Sequence, residues 1–165
     1  MNDLFYLADL LEQRHIIEKS ISDIIRGPAY KVNVAEYLAI RVFDIQAAGR
    51  GHPGGMEGWF ASGPLSGRSV KVKAFARNEY YLDIPAAHAP EYYLVFIHGG
   101  ALLVSTLYLI NIGNLLKDLQ KRGALIGGAT NLPRSFWDDS ELFPRQISRE
   151  LILSPEQHHM LSIFA

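Results

Sequence analysis

Ser69-Val70-Lys71-Val72-Lys73-Ala74-Phe75 alternates polar and apolar residues, the period of two that gives a β-strand one wet and one dry face. Lys71 and Lys73 therefore point the same way. Downstream, Glu91 to Ile97 reads as a fully buried strand and Leu102 to Ile110 as another. Asn111-Ile112-Gly113 then leads into a helix over Asn114 to Arg122, stopped by Gly123, and Ala124 to Ala129 reads as a last strand. Strand, helix and strand in succession predict a right-handed βαβ unit. The expected fold is α/β: a central mixed sheet from strands near 69–76, 92–97, 102–110 and 124–129, with helices on both faces.

Upstream of the alternating strand, residues 3–25 carry apolar side chains three or four apart, among them Leu4, Leu7, Leu11, Ile17, Ile21, Ile24 and Ile25, and Gly27-Pro28 ends that helix. A second helix is expected from about Val32 to Phe43, with Ala35, Leu38, Ala39 and Val42 as its stripe and Glu36 half-buried at the edge. Ala47 to Arg68, rich in glycine, is loop and hairpin chemistry. Beyond a loop holding Pro133 and Pro144, Ser154-Pro155-Glu156 caps a C-terminal helix. The organisation read from this is one domain over 1–165: an N-terminal helix in 1–27, an α/β core in 32–135 and a C-terminal helix in 154–165.

With 165 residues, 48% hydrophobic and 20% charged, the chain is neither disordered, collagenous nor a coiled coil as a whole. It has no cysteine, so disulfides, thiolate metal sites and cysteine nucleophiles are excluded. Any metal must sit on oxygen or imidazole. Sixteen Lys and Arg face seventeen Asp and Glu, a balance that advertises no partner. Met1-Asn2-Asp3-Leu4 lacks the basic start of a signal peptide, which makes the cytoplasm the expected compartment. The apolar run from Tyr92 to Ile112 is of membrane length, but His98-Gly99-Gly100 cuts it, so two strands and no membrane are expected.

Three motifs invite chemistry and do not sustain it. Phe96-Ile97-His98-Gly99-Gly100 at a strand end looks like the oxyanion-hole turn of α/β-hydrolases, which makes a serine hydrolase the third reading, but no downstream serine has glycines at both flanking places. Gly63-Pro64-Leu65-Ser66-Gly67-Arg68-Ser69 lacks one residue and the lysine of a phosphate loop, and a strand follows where a helix is needed, so it reads as a turn. His15, His52, His88 and His98 are scattered and His158-His159 diverge on a helix, the pattern of surface histidines.

Glu36, Glu57 and the Lys71/Lys73 strand form a more coherent set. A carboxylate on a helix, an acid in a glycine-rich hairpin and a strand ending in x-x-K is the layout of a phosphodiesterase metal site. Hard Mg²⁺ takes carboxylate and carbonyl oxygens, while an adjacent cation orients water and stabilises charge developing on phosphorus. In this order of elements the chain resembles the PD-(D/E)XK, or restriction-endonuclease-like, nuclease superfamily. More closely, Ala35-Glu36-Tyr37-Leu38-Ala39, Glu57-Gly58-Trp59-Phe60, Ser62-Gly63-Pro64-Leu65-Ser66-Gly67-Arg68-Ser69-Val70-Lys71-Val72-Lys73 and Tyr81-Leu82-Asp83-Ile84 are similar to the G-E-Y-I-A, D-G-R-F, S-G-P-L-x-G-R-x-V-N-V-K and L-L-D-I blocks of an uncharacterised prokaryotic domain family. The resemblance implies Glu36, Glu57 and Lys73 as catalytic residues and Glu36, Glu57 and the Val72 carbonyl as ligands of Mg²⁺.

Position 71 departs from that pattern. An active nuclease usually has Asp or Glu there, and this chain has Lys71. A cation about 4 Å from a metal ion repels it by ~1 kcal/mol per unit charge pair in water and by several near a protein surface, so hydrolysis is expected to be weakened. Between Gln46 and Asn78 the charges are Arg50, Arg68, Lys71, Lys73 and Arg77 against Glu57 alone, whereas Phe136 to Ala165 is acidic. Arg50, Arg68, Lys71 and Arg77 are thus the candidate nucleic-acid contacts. The expectation is a nuclease-like domain acting on or binding nucleic acid. Its alternative is a non-catalytic nucleic-acid- or protein-binding module on the same fold, and a homodimer is compatible with either.

Overall fold

The computed structural model describes residues 2–49, 56–79, 81–85, 87–100, 102–123 and 129–165. Two helices, α1 (Asn2–Ile25) and α2 (Lys31–Phe43), precede a hairpin of β1 (Ile45–Ala47) and β2 (Glu57–Phe60), then β3 (Ser69–Ala76) and β4 (Leu82–Ile84). The long strands β5 (Tyr92–Gly100) and β6 (Leu103–Asn111) lead into α3 (Ile112–Lys121), β7 (Ala129–Leu132), two 3-10 turns at Arg134–Phe136 and Asp138–Ser140, β8 (Glu141–Phe143) and α4 (Pro155–Ile163). The fold is α/β: a mixed six-stranded sheet in the order β1-β2-β3-β5-β6-β8, parallel only between β3 and β5.

Alternation along the strands divides the core in two. Val70 and Val72 of β3, with Tyr92, Leu94 and Phe96 of β5, pack against the apolar stripe of α2, Val34, Ala35, Leu38, Ala39 and Val42, and against Leu161 of α4. Tyr93, Val95 and Ile97 point the other way, where Leu82 and Ile84 of β4, Leu115 and Leu119 of α3, and Trp137 cover them. Lys71 and Lys73 lie on this second face, as period two requires.

The sheet differs from the expected one at its far edge. β7 does not join it; β7 pairs antiparallel with β4 in a separate two-stranded sheet, and β8 takes the place beside β6. The succession β6-α3-β7 is therefore not a βαβ unit of one sheet. The reason lies in side chains far apart in sequence: Leu142 and Phe143 of β8 enter the α2 core, while Leu132 of β7 joins Leu82 and Ile84 over the opposite face. Most of the strand expected over Ala124 to Ala129 lies outside the described residues.

Other local signals hold. Ser154 accepts from the Gln157 N–H and Gln157 returns the bond to the Ser154 N–H, a complete capping box with Pro155 in the first turn. Gly63 and Gly67 take positive φ in the turn between β2 and β3, confirming its turn chemistry. His98, expected on the surface, is instead buried, its Nδ1 3.0 Å from the Leu102 carbonyl within the β5–β6 hairpin, and burial lowers its pKa. No helix among the described residues is long and apolar enough to cross a membrane. The apolar residues of α1, in contrast, stay in water: Leu4, Phe5, Leu7, Leu11 and Ile17 are all more than half exposed, and only Ile25 packs against the main core.

Candidate nucleic-acid interface

The pairing register sets the site. Glu57 of β2 stands opposite Lys71 of β3, and Lys71 stands opposite Tyr93 of β5, so the three side chains form one row across adjacent strands. The Lys71 Nζ donates to Glu57 Oε1 at 2.8 Å, with the lysine side chain 16% exposed and the carboxylate 43%. One pleat along β3, the Lys73 ammonium lies 5.8 Å from the centre of the Tyr93 ring, within cation–π range. The Tyr93 hydroxyl in turn donates to the Asp83 carbonyl at 3.4 Å, so β4 closes one side of the cluster.

These neighbours shift the protonation equilibria in opposing ways. Burial, helped by the charge of Lys71, lowers the Lys73 pKa, against the pull of Asp83 and Glu57. Burial raises the Tyr93 pKa, and the charges of Glu57 and Asp83 push in the same direction. A half-buried ammonium with a second ammonium beside it is favoured by any anion that joins it.

Glu36 approaches from elsewhere. Half-buried on α2 as expected, it faces the Met56 backbone N–H; burial raises its pKa and that hydrogen bond partly offsets the rise. The Met56 carbonyl accepts from the Val72 N–H at 2.8 Å, so the Val72 carbonyl lies on the same strand edge. Met56 thus gathers Glu36 and Val72 at the end of β2. Glu57 is the next residue, but alternation sends its side chain to the opposite face and onto Lys71. Among the described residues no three His, Asp or Glu side chains are grouped so as to hold a metal ion. As placed, Lys71 holds Glu57 on one face of the sheet while Glu36 faces the Met56 N–H from the other, so the two carboxylates are not brought together with the Val72 carbonyl.

The remaining expected contacts are dispersed. Arg68 lies at the start of β3, where its Nη1 meets Glu91 Oε1 at 2.6 Å, and Glu91 also accepts from the Ser69 N–H. Arg77 is exposed just after β3, and Arg50 lies outside the described residues. The one-sided charge count along the sequence is therefore partly cancelled in space: Glu91, outside that stretch, holds one of its cations and Glu57 another. Tyr93 and Asp83 belong to the cluster although nothing in their local sequence marks them; the register of β3 with β5 and the docking of β4 bring them there. Comparison with protein-family models, with curated proteins and with solved structures gives no match.

Proposed function

We propose that the chain binds nucleic acid through the sheet face bearing Lys71 and Lys73, and that metal-dependent phosphodiester hydrolysis there is weak or lost. The observation that supports this most is the Lys71 ammonium 2.8 Å from Glu57, at the position where the nuclease pattern carries an acid. Lys71 there takes the place of a second metal-binding carboxylate and is itself paired with Glu57, so it supports the loss of hydrolysis more than an added phosphate contact. Lys73, half-buried beside it, is a lysine whose charged form gains from a phosphate. Arg77 lies exposed just beyond the strand.

A binding titration with labelled single- and double-stranded DNA and RNA tests this, between 50 and 200 mM salt on the scale over which phosphate contacts weaken. Lys73→Ala should weaken binding for all sequences alike and reduce the salt slope by about one, and Lys71→Ala, whose charge is already paired with Glu57, should do so less. Plasmid incubated with Mg²⁺ or Mn²⁺ should remain uncut. Absence of binding at low salt would remove the proposal.

The nuclease reading keeps one observation in its favour, the gathering of Glu36 and Val72 around Met56, next to Glu57 in the chain. It requires Lys71 to leave Glu57. Metal-dependent cleavage that disappears in Lys73→Ala would favour it over the binding module.

A further inference from the structure

We propose that Lys73, beside Lys71, is an imine-forming nucleophile that captures the aldehyde of an abasic sugar in nucleic acid. This rests on the reading of the Lys71/Lys73 face as a nucleic-acid surface, and it gives that face a reaction that needs no metal. Along β3 the Lys73 side chain stands between Lys71 and the partly buried Phe75, and across the ladder its neighbour is the fully buried Val95 of β5. Its ammonium lies 5.8 Å from the centre of the Tyr93 ring. An amine turns nucleophilic near neutral pH when apolar groups desolvate it or a second cation stands beside it. Both conditions meet here. Glu57 holds the Lys71 ammonium at 2.8 Å and the Lys71 side chain is 16% exposed, so the second charge is fixed in place one pleat away. Asp83 and Glu57 favour the Lys73 ammonium through their charge, but burial first and Lys71 second outweigh them and lower its pKa.

The substrate follows from that chemistry. A strand that has lost a base carries a ring-opened deoxyribose whose C1′ is an aldehyde, with an anionic phosphate on either side. The phosphates bring the strand to the lysines, and the aldehyde meets an uncharged amine. The Lys73 nitrogen adds to C1′, a C–N bond forms, and the carbonyl oxygen leaves as water with both amine protons, which yields the imine. Protonated, the imine draws electrons from the sugar. The C2′ proton then passes to solvent, its bonding pair becomes the C2′–C3′ double bond, and the C3′–O bond breaks with its electrons leaving on the phosphate. Water hydrolyses the imine and returns Lys73 as the amine. Nothing is oxidised or reduced in this sequence.

The test uses the full chain in EDTA. A labelled oligonucleotide with one abasic site is incubated with the protein and sodium borohydride, which reduces an imine to a stable amine. A covalent protein–DNA band should form, absent with the intact oligonucleotide, and peptide mapping of the wild-type adduct should place it on Lys73. Lys73→Arg, which keeps the charge and cannot form the imine, should lose the band. Without borohydride the abasic strand should be cut faster than in the absence of protein. In Lys71→Ala the pH of half-maximal trapping should move upward, because a repelling charge is gone and Glu57 is released, while Asp83 and Tyr93 still face Lys73. An adduct on Lys71, on another lysine or on the terminal amine, an undiminished band in Lys73→Arg, or an unmoved pH profile in Lys71→Ala would overturn the proposal. Equal capture of free deoxyribose 5-phosphate would overturn nucleic acid as the source of the aldehyde. Binding of intact DNA with no covalent band on the abasic strand would overturn the imine and leave the binding face standing; no binding of any nucleic acid at low salt would remove both.

Discussion

Lys73 sits where burial and the charge of Lys71 make its ammonium unfavourable for the fold. Its pKa is lowered from the ordinary 10.5, first by burial and then by Lys71, so the folded chain releases this proton at a lower pH than the unfolded chain does. Below the lowered pKa the ammonium carries its full desolvation cost, and stability recovers as pH rises from that value towards 10.5. Lys73→Met should therefore stabilise the protein at neutral pH, and the gain should shrink as pH approaches 10.5. Thermal unfolding of both proteins across that range checks the sign. The same substitution should weaken nucleic-acid binding, which separates a functional lysine from a merely tolerated one.

Among the elements, β1 and β2 depend on one glycine. A Cβ built on Gly58 would lie 2.2 Å from the Gln46 carbonyl oxygen, a backbone atom of the paired strand that cannot turn aside. Gly58→Ala should separate β1 from β2 and cost about 2–4 kcal/mol, measured as a lower denaturant midpoint. Because Gly58 follows Glu57, the change should also release Glu57 from Lys71 and shift nucleic-acid affinity. β8 is secured differently. Its buried Glu141 accepts from the backbone N–H, Nε and Nη2 of Arg145, the last at 2.6 Å, so the carboxylate has charged and backbone donors where water cannot reach. That bonding is what lets an acid lie in the strand that displaces β7 from the sheet edge.

For the molecule as a whole, the two cores share one sheet, because Leu94 and Val95 are consecutive residues of β5 facing opposite sides. Neither face can unfold while the other keeps its strands. Leu94→Ala and Val95→Ala should each destabilise, by about 2–5 and 1–3 kcal/mol respectively, and each should lower the same single calorimetric transition. Two resolved transitions would show that the faces melt separately. How far this architecture can be read beforehand varies with the range of the interactions involved. The alternation at Ser69–Ala76, the α2 stripe, the turn at 63–67 and the Ser154 cap are legible because each rests on contacts within a few residues. Residue order is enough to set which strand faces are polar, where α2 half-buries Glu36, and the absence of thiol chemistry. Packing in three dimensions is needed to place β8 rather than β7 at the sheet edge, Glu57 against Lys71, and Tyr93 and Asp83 beside Lys73. Those outcomes depend on register and on packing between segments distant in the chain, where the free energy of covering two apolar faces outweighs any local preference.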